Sequence, residues 1–266
     1  MTLPPITSPQ NPAIKHAVRL RQPKARRESG QTRIEGAREL LRALDAGLRP
    51  DPLYVCDERI RTGEAREAIE RVAAGAGRLQ PVNEAVARKL GFGDRDEGLT
   101  AVVAWVPRSL DSLRLGATPL VLVLDGIEKP GNLGAVLRTA DAGGVDAVVL
   151  CDPAIDPTNP NAIRASLGTI FTVPLATATR EQVRPWLAQH RLATYAAIAQ
   201  QSEAYSGVAY APRAALVMGS EQAGLDPDWR AQATACVHIP MRGAADSLNV
   251  STATAILLFE MLRQRG

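Results

Sequence analysis

The chain has 266 residues, 45% hydrophobic and 22% charged, with a net charge of +3, which is ordinary for a globular protein of two modest domains. No apolar run approaches the ~20 residues needed to span a bilayer, and Met1–Gln10 lacks the apolar core of a secretory signal. The three cysteines, Cys56, Cys151 and Cys236, are far apart, which argues against a disulfide framework or zinc ribbon and for free thiols in a reducing cytoplasm. The positive charge is uneven. Residues 1–50 hold ten Lys or Arg against four acids, residues 51–117 ten against eleven, and residues 118–266 eleven against thirteen. Lys15, Arg19, Arg21, Lys24, Arg26 and Arg27 lie in a stretch with no acid from Met1 to Arg27. Such clustering suits a polyanion, because neutralised phosphates release counterions; on charge alone a solvated tail or helix face is an equal alternative.

In chain order, Met1–Asn11 reads as irregular, Pro12–Leu20 as a short helix and Gln22–Gln31 as a basic, flexible connection. Ala37, Leu40, Leu41 and Leu44 recur at three and four residues, which predicts an amphipathic helix over 37–46 closed by Gly47. A strand at Leu53–Cys56, helices at Glu64–Ala74 and Asn83–Leu90, and a buried strand at Leu99–Val106 complete a small α/β domain, residues 1–110. Asp111–Thr118 reads as a linker, leaving 119–266 as the second domain. There, apolar runs predict strands at Leu120–Leu124 and Ala147–Leu150 of the parallel, doubly covered kind. Further strands are expected at Ala193–Ala197, Ala214–Met218 and Val237–Ile239, and helices at Leu133–Ala142, Ala162–Leu167, Arg180–Gln189 and Val250–Gln264.

Three loops follow strands of this second half, where open α/β sheets bind ligands. Asp125–Gly134 has the glycine spacing of a phosphate loop, but Asn132-Leu133 stands where Lys and Ser/Thr should be, and no G-x-G-x-x-G occurs. Nucleotide hydrolysis and hydride transfer are thereby disfavoured. What remains is a tight turn presenting Asn132 and, on the following helix, Arg138. Gly219–Leu225 offers two glycines and Glu221. Ile239–Asn249 ends in Ser247-Leu248-Asn249, where either Ser247 or Asn249 would cap the next helix. His16, His190 and His238 are dispersed, without a metal-binding spacing, and no G-x-S-x-G elbow is present.

At these loops the sequence closely resembles the TrmH/SpoU branch of the SPOUT RNA methyltransferases. The likeness is carried by Asn132-Leu133-Gly134-Ala135-Val136-Leu137-Arg138-Thr139-Ala140, by Gly219–Leu225, and by Ile239-Pro240-Met241 with Ser247–Ala253. It implies a parallel α/β sheet whose C-terminal segment threads a loop to form a trefoil knot, a feature no periodicity argument could supply because true knots are nearly absent from proteins. It implies S-adenosylmethionine as cofactor, contacted by Gly219, Ile239, Met241 and Leu248. Glu221, Ser247 and Asn249 would shape the site, and Asn132 and Arg138 would face the RNA. The segment Ser8–Arg27 and Ile34–Leu41 resembles the family's ribosomal-protein-like substrate-binding domain, which turns the basic cluster Lys15, Arg19, Arg21, Lys24, Arg26 and Arg27 into an expected RNA contact.

The implied reaction is methylation of a ribose 2′-hydroxyl, in 23S ribosomal RNA by preference, by a cytoplasmic homodimer without metal or membrane. The alternatives are a transfer-RNA 2′-O-methyltransferase of the same family and a non-catalytic RNA-binding SPOUT protein. The family often assigns Arg138 the base role. A guanidinium titrates above pH ~12, so charge stabilisation at the 2′ oxygen is the better physical reading.

Overall fold

The computed structural model describes residues 3–75, 77–91, 97–198, 202–220 and 223–265. The chain divides into two compact units, Met1–Val106 with Asp156–Thr172, and Pro107–Ile155 with Val173–Gly266.

The first unit begins with α1 (Pro12–Arg19), whose first-turn N–H of Ala13 is taken by the Asn11 side chain. The stretch Gln22–Gln31, expected to be a flexible connection, is instead α2 (Pro23–Ser29) running into β1 (Gln31–Glu35). Pro23 starts the helix, and Gly30, at φ 64°, stops it in a left-handed conformation that a side chain would resist. There follow α3 (Ala37–Asp45), β2 (Pro50–Val55), α4 (Gly63–Ala74), β3 (Leu79–Pro81), α5 (Glu84–Leu90) and β4 (Leu99–Ala104). Their strands align as β1-β4-β2-β3, with β4 antiparallel to both neighbours and β2 parallel to β3. Tyr54 and Val102 join Ile14, Ala17, Leu20, Val86 and Leu90 in a core on one face. Leu53 and Val55 alternate to the other face and are also buried, so helices cover both sides.

The second unit opens with Leu110, which the sequence assigns to the first domain, and Leu113, from the stretch that reads as a linker, both buried in its apolar core. It continues with β5 (Leu120–Asp125), α6 (Pro130–Ala142) and β6 (Ala147–Cys151). The chain then supplies α7 (Pro160–Ala165) and α8 (Thr169–Thr172) to the first unit. It resumes the second with β7 (Leu175–Ala178), α9 (Arg180–Gln189), β8 (Ala193–Ala197), β9 (Glu203–Ala204) and β10 (Ala214–Met218). It closes with α10 (Pro227–Gln232), β11 (Ala235–His238) and α11 (Val250–Arg263), which packs on α6. Among the described residues these strands form one parallel sheet in the order β7-β6-β5-β10-β8-β11-β9. Val121, Val123, Val149, Ala215 and Val217 are fully buried in its core, which is why these strands read as continuous apolar runs.

Polar contacts hold residues 156–172 within the first unit. Arg26, 2% exposed, donates from Nε and Nη2 to Asp156 and from Nη1 to the carbonyls of Leu20 and Arg21. Thr32 Oγ1 donates to the Thr158 carbonyl at 2.6 Å, and Arg164 reaches Glu35 at 2.7 Å. Glu35 also receives Arg33, a fully buried cation whose Nη1 and Nη2 groups donate to the Ala17 and Leu90 carbonyls. Burial lowers the Arg33 guanidinium to about 10, which still leaves it charged at neutral pH.

Removing one partner of such a pair strands the other. Arg26→Ala should destabilise the first unit by about 3–5 kcal/mol, whereas Arg27→Ala, at an exposed position of the same helix, should change it by less than about 0.5 kcal/mol. Equal urea midpoints for the two variants would contradict the buried network.

Candidate active site

Because every strand of the second unit runs the same way, the loops that follow them emerge at one edge. From β5 the chain steps outward to β6 and β7, then returns to the other side of β10, so the topological switch lies between β5 and β10. The first and second loops leave these two adjacent strands, and a Cβ on Gly126 would stand 3.6 Å from that of Ser220.

The first loop is short. Pro130 starts α6 earlier than the sequence pattern suggests, so Asn132 lies in its first turn. Arg138 is exposed on the same helix. Six residues separate them, about 9 Å along the axis and a third of a turn around it. Leu133, Val136, Leu137 and Ala140 occupy the buried face.

The second loop is a closed ring. Ser220 and Gly224 exchange N–H···O=C bonds of 3.2 and 3.1 Å, and the Ala223 N–H donates to Ser220 Oγ. A Cβ on Gly219 would meet the Gly224 backbone carbon at 2.3 Å, so the ring closes only with glycine there. Glu221, singled out from the sequence, lies outside the described residues, as does Gln222.

The third loop joins β11 to α11. Ile239 and Leu248 are half-buried, while every residue from Pro240 to Ser247 is exposed, including 40% of Met241. Among the described residues, the N–H groups of Met241–Leu248 meet no main-chain acceptor. Of the two capping candidates the structure selects Asn249. Its Oδ1 accepts from the N–H and Oγ of Ser251 at 2.9 and 2.6 Å. Its Nδ2 donates to Asn132 Oδ1 at 3.1 Å, joining residues 117 apart in the chain. Asn132 and Asn249 are thus brought into direct contact. Ser247 stands exposed two residues before the cap. His238 Nδ1 lies 3.1 Å from Ser202 Oγ, whose own hydrogen goes to the Ile198 carbonyl, so this histidine ties β11 to the chain after β8.

The basic residues of the first unit divide. Lys15, Arg19, Lys24 and Arg27 are exposed on α1 and α2, Lys24 within 3.8 Å of Glu28. Arg26 is the buried anchor described above, and its N–H groups are spent on protein acceptors, so it cannot be the RNA contact the sequence suggested. Arg21 donates to the carbonyls of Lys89, Leu90 and Gly91, closing the C-terminus of α5. A basic run does not distinguish such uses, because burial depends on acceptors distant in the chain.

Sequence reasoning missed one group. Asp125, 1% exposed at the end of β5, accepts from Arg180 Nε at 2.9 Å and from Trp229 Nε1 at 3.0 Å. The signal was a carboxylate directly after five apolar residues. Burial first, and then the Asp125 carboxylate, push the neighbouring Cys151 thiol up to about 12, which makes it an inert core group. Among the described residues no cluster of His, Cys, Asp or Glu could hold a metal ion, and no helix is long and apolar enough to cross a membrane.

Residues 119–259 match the SpoU rRNA Methylase family. The chain belongs to that family. Residues 11–101 of this SpoU methylase match the MRM3-like substrate binding domain. It is 34% identical to the 23S rRNA (guanosine-2′-O-)-methyltransferase RlmB of Ralstonia nicotianae, over 81% of this chain and 88% of that one. Against RlmP of Bacillus subtilis, a 23S rRNA (guanosine(2553)-2′-O)-methyltransferase, it is 33% identical but spans only 60% of that protein and 56% of its own length. Its fold matches the crystal structure of an RNA 2′-O ribose methyltransferase with a TM-score of 0.85 at 40% identity, covering 98% of this chain and 99% of that one. An AdoMet-bound rRNA methyltransferase from Sinorhizobium meliloti gives 0.88 at 30% identity, covering 98% and 97%.

Asn249 performs two separable tasks, capping α11 and gripping Asn132. Asn249→Asp keeps the capping acceptor and loses the donor, so its stability should stay within about 0.5 kcal/mol, whereas Asn249→Ala should lose about 1 kcal/mol. Equal losses in thermal unfolding would show that capping is not what this side chain supplies.

Proposed function

We propose that this SpoU methylase transfers the methyl group of S-adenosylmethionine to a ribose 2′-hydroxyl of 23S ribosomal RNA, acting as a cytoplasmic homodimer. The observation that carries the reading is the contact of Asn249, at the end of the third loop, with Asn132, on the first loop beside the switch of a parallel sheet, in a chain similar over nearly its whole length to an AdoMet-bound rRNA methyltransferase. The residues fit the cofactor. Among the described residues the N–H groups of Met241–Leu248 meet no main-chain acceptor, and Ile239, Met241 and Leu248 add apolar side chains suited to an adenine ring. When bound, S-adenosylmethionine supplies an electrophilic methyl group on a sulfonium.

The protein's own task is then to align and activate a weakly acidic hydroxyl. Alignment of reacting groups supplies up to about 7–11 kcal/mol in the best cases. Asn132, held by Asn249, fixes one edge of the nucleotide site, with Ser247 and Glu221 completing it. Arg138 engages the adjacent phosphate and stabilises negative charge developing on the 2′ oxygen, since a guanidinium retains its protons through the physiological range. Lys15, Arg19, Lys24 and Arg27 hold the RNA backbone. The apolar side chain of Phe259 on α11, 49% exposed, suits a contact with a second copy. The order that places β11 between β8 and β9 supports the knotted passage of the C-terminal segment that the resemblance implies.

Arg138→Ala should abolish methyl transfer while S-adenosylmethionine still binds within about twofold of the parent in calorimetry. Cofactor affinity falling in step with activity would reject the assignment. The double variant Lys15→Glu, Arg19→Glu should weaken RNA binding and reduce the slope of log K against log salt by about 2. An unchanged slope would remove α1 from the RNA surface. A parent chain that binds RNA but not S-adenosylmethionine would favour a non-catalytic RNA-binding role.

A further inference from the structure

The second unit holds a buried charge that the proposed chemistry does not use. Asp125 ends β5 beside the root of the glycine ring, since Leu124 pairs with Met218, the last residue before Gly219. Both its oxygens are engaged, by donors 55 and 104 residues away. The first donor, Arg180, opens α9 and also binds Asp152 at 3.3 Å, at the end of β6. The second, Trp229, is the largest fully buried side chain among the described residues and belongs to α10.

One turn along α9, Arg184 lies over the Trp229 ring at 5.1 Å and binds Asp226 and Asp228 at 2.6 and 2.9 Å. Asp226 caps α10 and is the first residue after the ring. The Gly219–Leu225 ring is therefore anchored at both ends. Its entry is fixed by the pairing of β10 with β5, and its exit by the Asp125–Trp229 and Arg184–Asp226 contacts. A buried carboxylate is a poor device for stability alone, because desolvation offsets much of the attraction and apolar replacements are often as stable. What it adds is direction. An indole N–H and a guanidinium Nε aimed at one carboxylate set the height of α10 and α9 against the sheet edge.

We propose that Asp125 is a positioning residue for the proposed cofactor site: through Trp229 and Arg180 it holds the exit of the Gly219–Leu225 ring in place, so that the ring is formed before S-adenosylmethionine arrives. The inference rests on the functional reading only for the identity of the ligand.

Two measurements separate the two. Trp229→Phe keeps an aromatic ring and removes the indole N–H, and Asp125→Asn can accept from only one of the two donors at a time. In the free protein, the hydrogen-bonded amides of Ser220, Ala223 and Gly224 should exchange at least about tenfold faster in either variant, with the amides of β5 and β10 unchanged. Calorimetry should show S-adenosylmethionine binding weakened about tenfold in each variant, and the double variant no weaker than the worse single one. Unchanged ring exchange, or exchange raised throughout the sheet, overturns the proposal. So does faster ring exchange with cofactor affinity intact. If the parent chain fails to bind S-adenosylmethionine, the functional reading falls, and the exchange comparison still decides whether Asp125 anchors the ring.

Discussion

Parallel pairing throughout the second unit is the constraint from which its other features follow. A parallel strand must be left at its C-terminal end and re-entered from the far side, so every turn that can carry chemistry is delivered to the same edge. The path through this sheet, outward from β5 and back beyond β10, then leaves a crevice between two adjacent strands, each followed by a glycine. Both faces are covered, so the strands contribute mainly apolar side chains to the core, with the buried Asp125 at the end of β5 as an exception. Asn132 meets Asn249, and Gly126 lies beside Ser220, because the loops that follow parallel strands emerge at the same edge.

How tightly these loops are held depends on a few polar contacts that join residues distant in sequence. The Asn249 amide is saturated on its oxygen by the first turn of α11 and turned through its nitrogen toward Asn132. In the first unit, Arg26, Arg33 and Arg164 perform the corresponding task, fastening residues 156–172 to β1 and α2 through Asp156 and Glu35. Each such contact adds little net stability when complete and costs much when half removed, which makes it a determinant of geometry before it is one of stability.

The apolar strands were legible in the sequence because burial on both faces leaves an unbroken hydrophobic run. Ala193–Ala197 and Ala214–Met218 coincide with β8 and β10, and Arg180–Gln189 coincides with α9. The elements that escaped are those whose partners are remote. The segment that became α2 and β1 carries charges instead of a hydrophobic stripe, and its Arg26 is buried because Asp156 meets it 130 residues later. β3 and β7, three and four residues long, and the six-residue α10 lie below the length at which periodicity speaks. The family motifs fall on the loops that follow β5, β10 and β11, and Asn249 was recognised as one of two possible caps. Its contact with Asn132 depends on how α11 lies against α6, which no local pattern encodes.

The central claim, that the edge of this sheet directs a methyl group to a ribose oxygen, is tested most directly by the site of the transferred methyl. The chain would be incubated with methyl-labelled S-adenosylmethionine and 23S ribosomal RNA from cells in which its gene is disrupted, and the product hydrolysed with alkali. A 2′-O-methyl group blocks cleavage of the adjoining phosphodiester, so the account predicts label confined to one alkali-resistant dinucleotide at a single position. Label recovered in mononucleotides, and therefore on a base, or no transfer to the RNA at all, would contradict it.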